Sequence, residues 1–594
     1  MSNGILSSSG GKRFLDAYTD DVRHASPNHL CPPSANVYIT KTGEAVSRDG
    51  FVDTGVSLGN AGKASRPFHV PLHNVTFFSI NGKVYFVDHN NSDAVVDTGL
   101  SLTETDGRKT RFGEYAGDIY LTNATDGLRQ IQMGRCNDAA ATSGDADITI
   151  DQVLAGRLLA FSHGAATLRI ANSTPFTEAY TAVSAAGVVT LTNTLDATVP
   201  NDTIVYVVND ISSGKPKGSG ITFWKERMII WGVQADANTY SATTIDNASN
   251  VIYMSAFANR DALENVIDFA TAGTGAIEMV GKGGTVTNVL STRDYLYSFT
   301  QTETYFAAES DIDATTGGTP MQLLSNQYGC VNEDCAADLG QGLCVFLTKN
   351  NRVMAIRVAT QTGAPVVFPD ESFDIPVRNT VKLLDSDQTD SFFFYAPNDR
   401  RCYMHLSVDS SRVVLNYNTE IQKMEPPTTG WSMGGMFVRD AVTYATELTD
   451  QTIYQLGVGS QDNGIDFEAI VATSLIEDSD GRTTLKLKSV GISGRMSELA
   501  TVTVESVVGE GTPLQKDITA DSGVSTASLG SVALGNTALG TGIGEDLTIF
   551  DKLLAIYPSF GPSYQMRARS LGKFTVTSYT VYGNALSKPL LTLS

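Results

Sequence analysis

The chain has 594 residues, of which 42% are hydrophobic, so it is long enough for several domains with large cores. Its 64 acidic and 42 basic residues give a net charge of -22, which excludes tight DNA binding unless a basic patch is segregated from the rest. Six cysteines are too few for a disulfide scaffold, and we expect a soluble chain that folds in a reducing cytoplasm, without a secretory signal or a membrane helix.

Two-fold alternation of apolar residues dominates the chain. Residues 75–91 predict two short strands around Asn81-Gly82, the dipeptide most typical of a hairpin turn. Five further hairpins are predicted to turn at Lys225-Glu226, Arg293-Asp294, Asn350-Asn351, Asn398-Asp399 and Thr449-Asp450. From Asp294 onward the turns lie roughly fifty residues apart, which is the period of a four-stranded propeller blade.

The pattern predicts an all-β protein, a β-propeller with an inserted small β domain and a C-terminal β domain. The predicted boundaries are 1–74 for an N-terminal arm and first strands, 75–137 and 221–463 for the propeller, 138–220 for the inserted domain with its linker, and 464–594 for the C-terminal domain. A Gly/Ser/Ala-rich tract at 522–545 predicts a long flexible loop. A set of separate sandwiches is the alternative, but it would not explain the repeat length.

A search for chemical motifs finds little. The seven histidines form no HExxH pattern, and no Walker loop is present. Acidic clusters occur at Asp145/Asp147, Glu309/Asp311/Asp313, Asp385/Asp387/Asp390 and Glu477/Asp478/Asp480. We interpret them as solvated loops, with bound Ca²⁺ as the alternative. No catalytic, cofactor-binding or metal-binding residue is predicted, so an enzyme such as a propeller hydrolase is the weaker hypothesis.

Three of the six cysteines fall in the stretch GCVNEDCAADLGQGLCVFL, at Cys330, Cys335 and Cys344. Their spacing matches no common zinc pattern, and no histidine lies near enough in sequence to complete a four-ligand set. Cys344 lies inside an apolar strand, where a thiol behaves as a small hydrophobic group. We therefore predict that these cysteines serve packing.

The order of segments between residues 221 and 356 resembles the tail nozzle proteins of short-tailed bacteriophages, also called tail tubular protein B or packaged-DNA stabilisation proteins. The resemblance is carried by the strand from Trp224 to Trp231, the segment NVIYMSAFANRDALENVIDF, the hairpin around Arg293-Asp294, and Gly329-Cys330 leading into LCVFL. It covers about a quarter of the chain. The other parts match only in being rich in strands.

This resemblance implies a structural virion protein without enzymatic activity. Such nozzles form a ring of six copies below the tail adaptor protein, near tail fibres or spikes. They retain packaged DNA and conduct it during ejection. The expected location is therefore the virion tail, after synthesis in the host cytoplasm, with duplex DNA passing through the ring without tight binding.

The net charge suggests which residues would line such a channel. A tube that conducts duplex DNA should repel phosphates, because each neutralised phosphate adds affinity through counterion release. The channel-lining candidates are Glu309, Asp311, Asp313, Asp385, Asp387 and Asp390. The rival hypothesis is a glycan-binding surface or spike propeller for host recognition, with Trp224, Trp231 and Trp431 as stacking platforms, although such aromatics more often fill blade cores.

Overall fold

The structure is a computed structural model of the chain. It describes residues 5–7, 13–22, 25–26, 28–58, 62–104, 109–138, 141–160, 167–172, 175–233, 250–256, 258, 266–269, 275–278, 284–311, 321–359, 364–368, 373–449, 452–477, 483–497, 500–508, 514–519, 547–561 and 563–587. Of the sequence predictions, Asp313, Asp478, Asp480, the tract 522–545 and the turn residue Asp450 lie outside these ranges.

The described N-terminal region consists of short strands that pair with distant parts of the chain. They are β1 (Ile5–Ser7), β2 (Ala17–Tyr18), β3 (His29–Leu30), β4 (Val37–Ile39), β5 (Ala45–Ser47) and β6 (Phe51–Ser57). β2 and β3 pair with each other, β1 and β5 pair with the last strand of the chain, and β6 enters a propeller blade.

The first two blades are connected through an insertion. Blade one is β7 (Phe68–Val70), β8 (Val75–Ile80), β9 (Lys83–Asp88) and β10 (Ala94–Ser101). Blade two begins with β11 (Arg111–Tyr115), β12 (Asp118–Thr122) and β13 (Arg129–Arg135). The insertion then follows with β14 (Asp147–Thr149), α1 (Gln152–Ala160), β15 (Thr167–Ile170), β16 (Phe176–Val183) and β17 (Val188–Leu191), and β18 (Ile204–Asp210) completes blade two.

The middle of the chain forms four more four-stranded sheets. Blade three is β19 (Gly220–Trp224), β20 (Arg227–Trp231), β21 (Val251–Met254) and β22 (Gly275–Glu278), and blade four is β23 (Val286–Ser291), β24 (Tyr295–Thr300), β25 (Thr304–Ala308) and β26 (Gln322–Ser325). Blade five is β27 (Ala336–Asp338), β28 (Leu343–Thr348), β29 (Arg352–Val358) and β30 (Pro365–Phe368). A short helix, α2 (Arg378–Val381), precedes blade six, which is β31 (Phe392–Ala396), β32 (Arg401–Val408), β33 (Ser411–Asn418) and β34 (Lys423–Thr429).

Blade seven combines the two ends of the propeller sequence. β35 (Met433–Arg439), β36 (Val442–Glu447) and β37 (Thr452–Leu456) are joined by β6, which pairs antiparallel with β37. A hairpin of β38 (Gln461–Asp462) and β39 (Ile465–Asp466) extends this sheet beyond β6. The first strands of the blades, β7, β11, β19, β23, β27, β31 and β35, contact one another in this order, and β35 contacts β7. The described strands therefore form a closed seven-bladed propeller.

The remaining strands form two further sheets. They are β40 (Ala469–Ala472), β41 (Ile476–Glu477), β42 (Thr483–Ser497), β43 (Thr501–Val508), β44 (Leu514–Thr519), β45 (Leu547–Gly561), β46 (Ser563–Ser570) and β47 (Phe574–Ser587). One sheet has the order β4-β5-β47-β42-β45 with β1 paired to β47, and the other has the order β40-β46-β43-β44 with β41 paired to β46. Their apolar faces share a core that is continuous with blades five and six.

The predicted hairpins are confirmed where both strands are described. The turn at Asn81-Gly82 has positive φ at both residues, 50° and 81°, as a type I′ turn requires. A Cβ on Gly82 would lie 1.8 Å from the carbonyl oxygen of Leu102, so this position needs glycine. The turn at Lys225-Glu226 also has positive φ at both residues, which here are not glycine or asparagine.

The observed domain boundaries differ from the predicted ones in three places. The segment 1–74 is not one unit, because its strands are divided between the C-terminal sheets, blade seven and blade one. The inserted region ends before Ile204–Asp210, which belongs to blade two. The C-terminal sheets are not built from 464–594 alone, because β1, β4 and β5 take part in one of them. The physical reason is that strands far apart in sequence pair with one another, whereas shifts in composition along the chain reflect only local sequence.

Candidate functional site at the propeller axis

Alternation of strand direction gives the propeller two distinct faces. The chain enters the first strand of each blade on one face, here called the entry face, and the turns between second and third strands lie there too. The turns after first and third strands lie on the opposite face. Asp385, Asp387 and Asp390 precede β31 and therefore lie on the entry face, whereas Glu309 and Asp311 follow β25 and lie on the opposite face. The structure does not bring the two predicted acidic groups together.

A cluster of charged side chains crosses the axis on the entry face. We call it the axial cluster; its members are Lys63, Arg66, Lys109, Arg111, Glu333, Asp334, Asp390 and Arg412. The residues come from the connections into blades one, two, five and six, from the first position of β11 in blade two, and from β33 of blade six. Six of the eight positions form three close pairs in sequence, but the pairs are far from one another, so the ring itself brings the cluster together.

Asp334 is the centre of the deeper layer. Arg111 donates two hydrogen bonds to its carboxylate, at 2.9 and 2.8 Å, and Arg66 Nε lies 2.6 Å from Oδ1. Arg111 also lies 2.8 Å from Glu333 Oε1. Blades two and five are not neighbours in the ring, so these contacts bridge the axis. The axis is closed at this end by side chains in direct contact.

Packing and backbone contacts hold Arg66 in this position. Its guanidinium lies 4.0 Å from the ring centroid of Phe392 and donates a hydrogen bond to the carbonyl oxygen of Ser391 at 2.9 Å. Phe392 stacks in turn on His405, with ring centroids 4.2 Å apart. A guanidinium suits this place because its planar fork serves a carboxylate and an aromatic face at once.

Asp390 forms the outer layer of the axial cluster. Its carboxylate lies 2.5 Å from Lys63 Nζ, 3.5 Å from Lys109 Nζ and 3.4 Å from Arg412 Nη2. Burial acts to raise the pKa of Asp390, but the bond from Lys63 and the charges of Lys109 and Arg412 outweigh it and lower the pKa. The residue is therefore a paired anion and not a free one.

The two carboxylates of the deeper layer titrate differently. Burial raises the pKa of Glu333, with the charge of Arg111 acting against it. For Asp334, burial acts in the same direction, but Arg111 and Arg66 together hold its pKa well below the usual range. Asp334 therefore keeps its negative charge further into acid than an ordinary aspartate does, and it anchors the cluster.

A cavity of about 540 Å³ adjoins the cluster on the entry face. Its lining includes Asp385 and Asp387 from the predicted set, together with Gln301, Asn332, Lys349 and Gln388. Most of these groups are engaged within the protein: Lys349 donates to Gln301 at 3.0 Å, and Asn332 donates to the carbonyl oxygen of Gln388 at 2.6 Å. The cavity therefore offers few unengaged polar groups to a ligand.

The predicted acidic residues are mostly bound locally. Asp387 accepts hydrogen bonds from the backbone and side chain of Thr389, which lower its pKa, and Asp385 accepts from the backbone of Ser410. On the opposite face, Glu309 lies 2.6 Å from Lys225 Nζ. Asp311 accepts from the backbone of Ala308 at 3.1 Å.

The cysteines and tryptophans lie in the interior. All six cysteines are buried and unpaired, and burial raises the pKa of the Cys330 thiol to about 12. Among the described residues, no group of three or more His, Cys, Asp or Glu side chains is arranged to hold a metal ion. Trp224, Trp231 and Trp431 are 3%, 6% and 2% exposed, so none of them can serve as a stacking platform for a sugar. None of the described helices is long and apolar enough to span a membrane.

Sequence reasoning missed the basic half of the axial cluster. Glu333 and Asp334 lie within the cysteine-containing stretch singled out above, but their partners Arg66 and Arg111 are more than two hundred positions away, as the 223-residue separation of Arg111 and Asp334 shows. No local pattern marks such a pair. The signal would have been the recurrence of charged residues just before predicted first strands.

The topology places the chain among the β-propellers. No family model matches it, and no curated protein matches it. Solved structures similar to it include the β-propeller domain of Cps50 (Swd1) from Myceliophteria thermophila, with 8% identity over 67% of this chain and 98% of that chain and a TM-score of 0.33. Sqt1 from Saccharomyces cerevisiae has 7% identity over 72% and 96%, with a TM-score of 0.33. The propeller assignment stands on the strand pairing described above.

Proposed function

We propose that the protein is a structural subunit of a short phage tail nozzle, a ring of six copies that retains packaged DNA and conducts it during ejection. The proposal starts from the resemblance of residues 221–356, which correspond to blades three, four and most of five. Its proposed partners are further copies of the chain, a tail adaptor protein, and tail fibres or spikes.

The axial cluster is the structural observation that carries the proposal. Because its ion pairs cross the axis, the propeller is a closed block, and any conduit for duplex DNA would have to lie between copies of the chain. A wall block of a multi-subunit tube needs a rigid fold and no reactive site. Both the closed ring and the buried cysteines agree with such a role.

The charge of the chain supports the same role. Six copies with a net charge of -22 each carry about -132 together. The five cations of the axial cluster are each paired with one of its three carboxylates, which leaves a formal excess of only two positive charges on a chain with a net charge of -22. Since Glu309 and Asp311 lie on the face opposite to Asp385 and Asp387, only one of these groups would line the lumen if a single face of the propeller is turned toward it.

Electron microscopy of the purified chain, and of the particle that carries it, tests the proposal. We expect a six-fold ring with a central lumen in both samples. A monomer that stays dispersed at high concentration and has no counterpart in a phage tail would contradict the proposal. Binding of the isolated protein to a glycan array would instead support a role in host-surface recognition.

A further inference from the structure

The junction between blades seven and one is the place where the propeller ring closes. β35 contacts β7 there, and β6 completes blade seven. Phe437 and Tyr444 of blade seven pack against Phe78 and Val87 of blade one in a shared apolar cluster. We call this junction the closing seam.

Two histidines lie at the edge of the closing seam. The hydroxyl of Thr76 lies 3.0 Å from His69 Nδ1 and 2.7 Å from His89 Nε2, so it bridges the two rings. The ring centroids of the histidines are 5.8 Å apart. Both rings stack on Phe437 from across the seam, at 6.1 and 6.4 Å. The histidines of blade one thus form part of the surface on which blade seven packs.

At this point one carboxylate, that of Asp93, is shared by a histidine and an arginine. Asp93 Oδ1 lies 2.5 Å from His89 Nδ1 and 2.8 Å from Nη1 of Arg439, which belongs to blade seven. Arg439 also contacts His89 Nδ1 directly and donates a hydrogen bond to the hydroxyl of Tyr444 at 3.0 Å.

The other carboxylates near the two histidines do not offset the positive charge of Arg439. Asp88 is bound by Arg135 at 2.9 Å, and Asp440 is 81% exposed. A proton on either imidazole would therefore place a second positive charge beside Arg439, with Asp93 already shared.

The pKa directions agree with the geometry. Burial lowers the pKa of His69 to about 4, and the neighbouring His89 and Arg439 act in the same direction. Burial also lowers the pKa of His89, although its bond to Asp93 opposes this change. In the closed seam both rings hold a proton less tightly than a free imidazole does, and both would take up protons more readily if the seam opened.

We propose that the closing seam is an acid-sensitive latch, in which protonation of His69 and His89 beside Arg439 separates blade seven from blade one while the other blade junctions stay closed. The opened state would expose the shared face of Phe437 and release the carboxylate of Asp93 to the newly charged rings. Opening is coupled to proton uptake, so mild acid favours it and neutral pH reverses it.

Native-state hydrogen exchange of the full chain tests this latch. Amide protection factors, corrected for the intrinsic rate at each pH, are compared at about pH 7.5 and about pH 5 in β7 and β35 and, as an internal reference, in β23 and β27. We expect protection at the closing seam to fall on the order of 30-fold from His69 alone, because an opened ring would titrate near 6.5. The reference strands should change much less.

Two variants separate the latch from general acid sensitivity. In the double variant His69→Gln and His89→Gln, the drop at the seam should largely disappear. The control is His73→Gln, on the same hairpin as His69. The ring of His73 bonds to the carbonyl oxygen of Gly117 in blade two, away from the closing seam. The closing seam of this variant should keep the wild-type pH dependence. Equal loss of protection in all blades of the wild-type protein, or an unchanged pH dependence in a folded double variant, would overturn the proposal. If the double variant does not fold, the comparison of strands within the wild-type protein decides.

Discussion

At the scale of single residues, the most informative position is Asp334. It binds Arg66 and Arg111, which reach it from blades one and two across the axis. A buried ion pair adds little net stability compared with apolar packing, but removal of one partner leaves an uncompensated charge in a poorly solvated place. Asp334 therefore links blades one, two and five to one another through its two ion pairs.

We expect Asp334→Ala to lower the free energy of unfolding by roughly 3 kcal/mol, because it leaves two guanidinium groups without their main partner. Asp387→Ala, an exposed carboxylate on the same face, should cost less than about 1 kcal/mol. Urea unfolding followed by tryptophan fluorescence measures both, since all three tryptophans are buried in the propeller. Equal urea midpoints for the two variants would contradict this account of the axial cluster.

A second residue-scale prediction concerns Asp118, which is buried in blade two beside Arg157 of α1, at 3.0 Å. Burial raises the pKa of Asp118 to about 6, although Arg157, Gln132 and Gln130 oppose the shift. The folded pKa is above the unfolded one, so the folded state binds the proton more tightly. The stabilisation from this proton is fully present below about pH 4 and is lost as the pH rises through about 6.

The wild-type protein should therefore gain stability relative to Asp118→Asn as the pH is lowered from 7 to 4, by up to about 3 kcal/mol. Chemical unfolding of both proteins across this range measures the difference. Asp97→Asn, which changes an exposed carboxylate of blade one, is the control for general charge effects. A wild-type advantage that shrinks toward pH 4 would show that the sign is wrong.

At the scale of elements, β6 determines whether the ring is closed. It comes from the N-terminal part of the sequence and pairs with β37, so blade seven cannot be complete before both regions have been made. The buried ion pair between Arg48 and Asp462 holds the chain just before β6, and Arg48 also lies 3.7 Å from the ring centroid of Phe467. Closure of this kind protects the outer edge of the last blade and couples the propeller to the C-terminal sheets.

We expect Val56→Asp to destabilise blade seven by about 2 to 4 kcal/mol, because Val56 of β6 is buried in the closing seam and a carboxylate there has no partner. Asp53→Ala, on the exposed side of the same strand, should be close to neutral. Limited proteolysis should cleave the Val56→Asp variant in β6 or β37 before other blades are cut. Identical cleavage patterns for the two variants would argue against a closing role for β6.

At the scale of the whole molecule, charge and closure of the axis act together. The chain is strongly acidic, and each cation of the axial cluster is paired with one of the three carboxylates of that cluster. A ring of such subunits would present duplex DNA with a wall that has little affinity for phosphates. The proposal of a nozzle therefore makes a negative statement about binding that can be measured directly.

We expect duplex DNA to bind the purified protein with a dissociation constant weaker than about 10⁻⁴ M at physiological salt, because few phosphates can be neutralised and few counterions released. Fluorescence anisotropy with a labelled duplex measures this, and the same assay with a basic DNA-binding protein is the positive control. Tight binding whose affinity falls steeply with salt concentration would contradict the proposed conduit.

Several features of the fold could be predicted from local sequence because they depend on local physics. Alternating apolar residues around Asn81-Gly82 and Asn350-Asn351 indicate hairpins, since a two-residue turn and two-fold side-chain alternation are both short-range properties. The length of the repeat then indicates a propeller. However, the predicted turns are not equivalent positions: Arg293-Asp294 joins the first two strands of its blade, whereas Asn350-Asn351 joins the second and third.

By itself, the sequence determined the strand content, the hairpins, the propeller class and the acidic character of this protein. Only the tertiary structure decided which strand closes the ring, which terminal strands share a sheet, and which charged residues meet at the axis. These features depend on contacts between residues as far apart as Arg48 and Asp462, separated by 414 positions. Such pairs leave no local pattern, because their partners are selected by the geometry of the closed ring.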